Sequence, residues 1–186
     1  MILNIKNMVC DRCRRTVQRV LEDAGLTIGA VDLGRAEVQA WPEAVSLEAV
    51  RAGLRAEGFD LIEEPKATLV EQVKALLINE VHYTHDRPAH QNVSDYLSRK
   101  LGYEYTYLSH LFSTQTGTTI ERFLIGQRIE RAKALLQAGE LPIADVAFQL
   151  GYSSVPHFTN QFRKETGATP AQYRKDPTGR RSLDAV

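Results

Sequence analysis

Two stretches, LGYEYTYLSHLFSTQTGTT at 101–119 and LGYSSVPHFTNQFRKETGAT at 150–169, say nearly the same thing twice. Leu101-Gly102-Tyr103 answers to Leu150-Gly151-Tyr152, Leu111-Phe112 to Gln161-Phe162, and Thr116-Gly117-Thr118-Thr119 to Thr166-Gly167-Ala168-Thr169. Self-similarity at this period marks a duplicated supersecondary unit. Each copy predicts a helix, a tight turn at Gly-Tyr, and a second amphipathic helix stopped at Thr-Gly. That is a helix-turn-helix, whose second helix is shaped to enter a DNA major groove.

Working outward, the helix before the first unit is predicted from Ala67 to about His82 by the spacing of Leu69, Val73, Leu76 and Leu77, with a polar turn at Asp86-Arg87-Pro88. The first unit covers roughly Val93–Gln115. Thr118 with Glu121 reads as a capping box opening a long helix to about Gln137. The second unit covers roughly Pro142–Glu165, with Pro142 in a first helical turn. Thr169-Pro170 starts a short last helix.

The first 64 residues alternate element types. Met1–Asn7, Leu26–Leu33, Ala36–Trp41 and Phe59–Glu63 read as strands, the middle two as a hairpin at Gly34-Arg35. Asp11–Ala24 and Ser46–Glu57 read as helices, the first with Val17, Val20 and Leu21 inward, the second with Leu47, Val50 and Leu54 inward. The order βαββαβ is the ferredoxin-like arrangement. The expected class is therefore α+β: a ferredoxin-like domain at 1–64, a linker helix and turn at 65–91, an all-α double helix-turn-helix domain at 92–176, and a disordered tail at 177–186.

A net charge of zero hides an asymmetry. Residues 1–64 carry 8 Lys+Arg against 11 Asp+Glu, and residues 65–186 carry 15 against 12. The basic excess on the helical half suits phosphate contact. No run approaches the apolar length of a membrane span, and the chain begins with a strand pattern rather than a signal peptide, so a cytoplasmic protein with no membrane partner is expected.

Residues 93–175 resemble the AraC-type transcriptional regulators, on Tyr107-Leu108-Ser109-His110-Leu111-Phe112, Arg128-Ile129-Glu130-Arg131-Ala132, Ile143-Ala144-Asp145-Val146-Ala147 and Leu150-Gly151-Tyr152-Ser153-Ser154. His157-Phe158, Phe162-Arg163-Lys164, Thr166-Gly167-Ala168-Thr169-Pro170 and Tyr173-Arg174 extend the match. The resemblance implies two helix-turn-helix subdomains bridged by the helix around Ile120–Gln137. It implies double-stranded DNA as partner, with RNA polymerase and a second copy of the chain as further partners.

With Leu108, Leu111 and Phe112 inward, Thr106, Ser109, His110 and Ser113 face DNA in the first unit. With Phe158 and Phe162 inward, Ser154, Val155, Pro156, Thr159 and Asn160 face it in the second, and Arg163 and Lys164 run on toward phosphate. Asn pairs bidentately with adenine, while Val or a Thr methyl touches the thymine methyl. His110 stands where the family often has Arg. His157 is open between a phosphate contact and a core histidine. Tyr103, Tyr105 and Tyr107 read as packing and turn residues, Tyr105 with access to phosphate.

Asn7-Met8-Val9-Cys10-Asp11-Arg12-Cys13 resembles the metal-binding loop of heavy-metal-associated domains, with Glu57-Gly58-Phe59 where that family has a Gly-aromatic pair. The resemblance implies Met8 as a core anchor and Cys10 and Cys13 as metal ligands. Asn7 departs from the family's glycine. Two thiolates three apart at a helix start suit one soft ion such as Cu(I), or Hg(II), and zinc would want four ligands. Helix-terminal N–H groups, with Arg12, Arg14 and Arg15, favour thiolate. A soft-metal site, a thiol redox switch and a purely structural pair are all open. His82, His85 and His90 read as a solvated helix end and linker.

The leading function is a sequence-specific DNA-binding regulator responsive to a soft metal or thiol state. The alternative is a soft-metal trafficking protein using the CxxC domain, with the helical half as a docking module. A thiol enzyme fails on context, since no base or pocket pattern accompanies the pair.

Overall fold

A computed structural model of the chain describes residues 1–62, 65–84 and 91–177. Its first part is β1 (Ile2–Lys6), α1 (Asp11–Asp23), β2 (Thr27–Asp32), β3 (Arg35–Ala40), α2 (Leu47–Ala56) and β4 (Asp60–Leu61). This is the element order expected from sequence. The four strands form one antiparallel sheet in the order β2-β3-β1-β4, with Leu3 opposite Ala36 and Ile5 opposite Leu61. Period-two alternation in β1 and β3 buries Leu3, Ile5, Ala36 and Val38 on one face. Val17, Val20 and Leu21 of α1, with Val50 and Leu54 of α2, complete that core. Leu47, expected to face inward, is 47% exposed because it occupies the first position of α2, ahead of the buried stripe.

The described residues of the second part form helices and the turns between them. These are α3 (Pro65–Asn79), a π-helical turn (Glu80–Thr84), α4 (Val93–Leu101), α5 (Tyr105–Thr116), α6 (Ile120–Ala138), α7 (Ile143–Gln149), α8 (Val155–Thr166) and α9 (Pro170–Lys175). Helix α3 does more than link. Leu69, Val70, Val73, Leu77 and Ile78 enter the same core as Tyr96, Phe112, Leu124, Phe158 and Phe162. The π turn was not foreseen; it carries His82 into that interior rather than leaving it solvated. His85, His90, the turn at Asp86-Arg87-Pro88, Glu63, Glu64 and the tail beyond Pro177 lie outside the described residues.

The duplication has a physical basis. The turn glycines Gly102 and Gly151 take φ of 76° and 77°, a left-handed conformation that a side chain would strain. The threonines that end α5 and α8 repeat one network. Thr116 Oγ1 donates to the Phe112 carbonyl at 2.7 Å and accepts the Thr118 N–H at 3.3 Å. Thr166 Oγ1 donates to the Phe162 carbonyl at 2.8 Å and accepts the Ala168 N–H at 3.3 Å. Each hydroxyl thus ties the last turn of one helix to the start of the next.

The caps correct two readings. Thr119, not Thr118, caps α6, accepting the Arg122 N–H at 3.1 Å. Thr118 is already tied to Thr116, so the expected box with Glu121 does not form. A true capping box forms in the second copy, between Thr169 and Gln172. Pro142 is the N-cap of α7 and not within its first turn.

Candidate nucleic-acid interface and thiol site

The inward residues of both recognition helices are buried as read from sequence: Leu108, Leu111 and Phe112 in α5, Phe158 and Phe162 in α8. In α5, Thr106 and His110 are exposed, and Ser109 and Ser113 half-buried. The Ser113 hydroxyl donates to the Ser109 carbonyl at 2.8 Å, so its proton is spent within the helix and it meets other groups as an acceptor.

In α8, Pro156, Asn160, Arg163 and Lys164 are exposed, and Thr159 is half-buried. Ser154 is the N-cap and accepts the His157 N–H at 3.3 Å. Val155 is half-buried against the helical core, so less of it faces outward than expected. His157 is exposed, with its ring edge-on to Tyr152 at 5.3 Å, which disposes of the core-histidine reading.

Sequence reasoning missed an aromatic pair beside α5. Tyr103 and Tyr107, expected as packing and turn residues, are 49% and 44% exposed and stack on each other at 5.6 Å. Their spacing of four around a helix start was the available signal. Tyr105 instead packs against the helical core, and burial, followed by Glu121, raises its phenol above the ordinary range.

At the other end of the chain, the loop before α1 is held by Asn7 and Met8. Asn7 adopts φ 71°, a left-handed backbone conformation that asparagine is among the side chains to tolerate. Its Nδ2 donates to the Gly58 carbonyl at 2.9 Å, fastening the loop to the end of α2. Met8 is buried in the sheet core, the anchoring place expected of it.

Cys10 is the N-cap of α1, Cys13 lies in its first turn, and both thiols are free and half-buried with sulfurs 3.4 Å apart. Burial pushes the Cys13 thiol up, with backbone N–H groups of Val9 and Cys10 opposing. Thiolate is therefore less favoured at Cys13 than the helix start and nearby arginines suggested. Arg14 is spent elsewhere, its Nε donating to the Val31 carbonyl at 2.8 Å and its Nη1 to Asp11 at 3.0 Å. Arg12 and Arg15 point into solvent.

Among the described residues there is no cluster of three or more His, Cys, Asp and Glu side chains able to hold a metal. His82 is unavailable, its Nε2 lying 3.0 Å from Gln127 Oε1. The donor set is two adjacent sulfurs, which fits a two-coordinate soft ion and not zinc. Nor is any described helix long and apolar enough to cross a membrane.

Residues 97–176 match a helix-turn-helix domain family. The chain is 34% identical over 104 residues to the regulatory protein SoxS of Salmonella typhimurium, spanning 56% of this chain and 94% of that one. It is 36% identical over 80 residues to SoxS of Escherichia coli K12, covering 43% of this chain and 75% of the other. In structure it is similar to a transcriptional regulator of Chromobacterium violaceum described as containing an AraC-type DNA-binding domain. That likeness has a TM-score of 0.50 and 23% identity, over 60% of this chain and 96% of the other. With a relative matched over nearly its whole length and the duplicated turn, cap and core geometry in place, the chain belongs to the AraC-type family of helix-turn-helix transcriptional regulators.

Proposed function

We propose that the chain regulates transcription by binding double-stranded DNA sequence-specifically through α5 and α8, and that its first 64 residues form a ferredoxin-like domain of the heavy-metal-associated type. The observation that carries the DNA reading is the repeated Thr116 and Thr166 network. It presents two helices with the same buried edge and two polar outer faces. Phosphate contacts from Arg163 and Lys164 would set register, and Asn160, Thr159, His110 and Thr106 would read base edges. RNA polymerase and a second copy of the chain are the protein partners of this reading.

In the amino-terminal domain, Cys10 and Cys13 would hold one soft ion such as Cu(I), with both thiolates as its ligands. What favours this reading is the pair of free sulfurs 3.4 Å apart, on a loop anchored by Met8 and Asn7. The trafficking alternative leaves two groove-sized faces without a role.

Titrating Cu(I) into reduced protein while following the anisotropy of labelled target DNA tests both parts. One-to-one binding with an affinity change of roughly 5–150-fold supports a switch, the usual range of coupling between two sites. Tight metal binding with unchanged DNA affinity keeps the site and removes the switch. DNA binding by the protein without any metal uptake removes the metal site and leaves a regulator whose thiol pair is a redox switch or structural.

A further inference from the structure

The two recognition helices correspond residue by residue. Each is 12 residues long, and the steps from Glu104 to Ser154 at the N-caps and from Gly117 to Gly167 at the C-caps are the same. The third residue of each helix is an exposed ring, Tyr107 in α5 and His157 in α8. Each leans on the tyrosine of the preceding turn: Tyr107 stacks on Tyr103 at 5.6 Å, and His157 meets Tyr152 edge-on at 5.3 Å. The props differ. Tyr152 is buried and packs on Phe158 at 5.2 Å within the helical core, whereas Tyr103 is 49% exposed. A contiguous pair of rings held in water marks a contact surface rather than a packing need. The charges differ too. Arg163 and Lys164 of α8 answer to Ser113 and Thr114 of α5, whose hydroxyls are tied to the Ser109 and His110 carbonyls. The first unit carries its cations one helix earlier, at Arg99 and Lys100 in the last turn of α4. Glu104, exposed and making no cap bond, keeps a negative charge at the start of α5, so a phosphate is not welcomed there on bare N–H groups. A neutral donor held out on a ring meets the backbone instead.

We infer that Tyr107, propped by Tyr103, is the backbone-positioning residue for the first half of the DNA site: its hydroxyl donates to a phosphate, and its ring lies along the adjoining sugar. It does for α5 what Arg163 and Lys164 do for α8. This rests on the DNA reading above. Stacking on Tyr103 orders the Tyr107 ring before DNA arrives, so less side-chain freedom is lost on binding. As an uncharged donor, Tyr107 adds affinity without adding to the salt dependence that lysine and arginine contacts bring.

The test follows the anisotropy of a labelled duplex carrying the motif that the full chain enriches from a random-sequence library. Tyr107→Phe, which removes only the hydroxyl, is expected to lower affinity about 10-fold, the lower end for a hydrogen bond to a charged group. Tyr103→Ala should lower it about 2–10-fold, through lost ordering of the Tyr107 ring. Neither variant should change the enriched motif or the slope of affinity against salt, because a backbone contact carries no base preference and the lost donor has no charge. On a shorter duplex holding the α8 block alone, both should bind as the parent does. If Tyr103→Ala loses its circular dichroism, Tyr103→Leu takes its place. Tyr107→Phe binding within about twofold of the parent on the full duplex, or losing as much on the short one, would overturn the role of Tyr107. Full affinity in the Tyr103 variant would overturn the propping. A parent that enriches no motif would remove the DNA reading itself, and this inference with it.

Discussion

Arg122 on α6 and Glu165 near the end of α8 are joined by an ion pair of 2.7 Å, with the Glu165 side chain only 9% exposed and also accepting from Gln161 at 2.9 Å. The pair connects the bridging helix directly to the second recognition helix, across 43 residues of sequence. Because the Arg122 side chain is 56% exposed, its loss should cost only about 1 kcal/mol of stability. Its geometric effect should be larger. Arg122→Ala is expected to weaken binding to a complete two-part DNA site more than to a fragment holding the α5 half alone. Equal loss on both fragments would show that the pair does not set the position of α8.

The twin threonines make a second prediction. Thr116→Val and Thr166→Val each remove a hydroxyl that bridges a helix end to the next helix start, and each should cost about 1 kcal/mol. The sites share no partner, so the double variant should lose the sum in chemical denaturation. A marked difference between the two singles would mean the copies are alike in sequence but not in energetics.

Asn7 supplies a third. Its positive φ means that Asn7→Gly should stay within about 0.5 kcal/mol of the parent, trading the bond to Gly58 for an easier backbone. Asn7→Val should lose about 2 kcal/mol or more, because a β-branched residue resists the left-handed region. Melting temperatures in the reduced state decide it, and an innocuous valine would contradict the loop geometry.

The cysteines themselves should matter little to folding. The sheet core closes through Leu3, Ile5, Met8, Val17, Leu21, Val50 and Leu54, with Cys13 only at its margin. A Cys10→Ser, Cys13→Ser variant is expected to melt within a few degrees of the parent. Loss of its circular dichroism would make the thiols structural.

Period and punctuation carried most of the fold in the sequence. Alternation gave β1 and β3, glycine stops bounded α1 and α2, and the repeated Leu-Gly-Tyr placed both helix-turn-helix units. What stayed hidden depends on contacts across the chain. Thr118 and Thr119 both suit a cap, and only the bond from Thr118 to Thr116 decides between them. His82 has a solvated composition around it, yet a π turn and Gln127 draw it inside. The thiols follow the same logic: a helix start lowers a thiol pKa, but burial of Cys13 outweighs it, and burial is a tertiary property.

Base reading has its own signature. Asn160→Ala or Thr159→Ala should relax preference at one base position and cost about 1–3 kcal/mol on the preferred sequence. Lys164→Ala should weaken all sequences alike and flatten the salt dependence by about one unit of slope. If Asn160→Ala instead behaves as Lys164→Ala does, α8 lies along the backbone and not in the groove.

The most direct measurement is selection of bound duplexes from a random-sequence library by the full chain, followed by sequencing of the enriched pool. Two recognition helices on one DNA face predict a motif with two conserved blocks about 10 base pairs apart, one helical turn of roughly 34 Å. The block nearer α8 should lose its preference in the Asn160→Ala variant. A pool with no enriched motif, or a single short block untouched by changes in α8, would contradict the account.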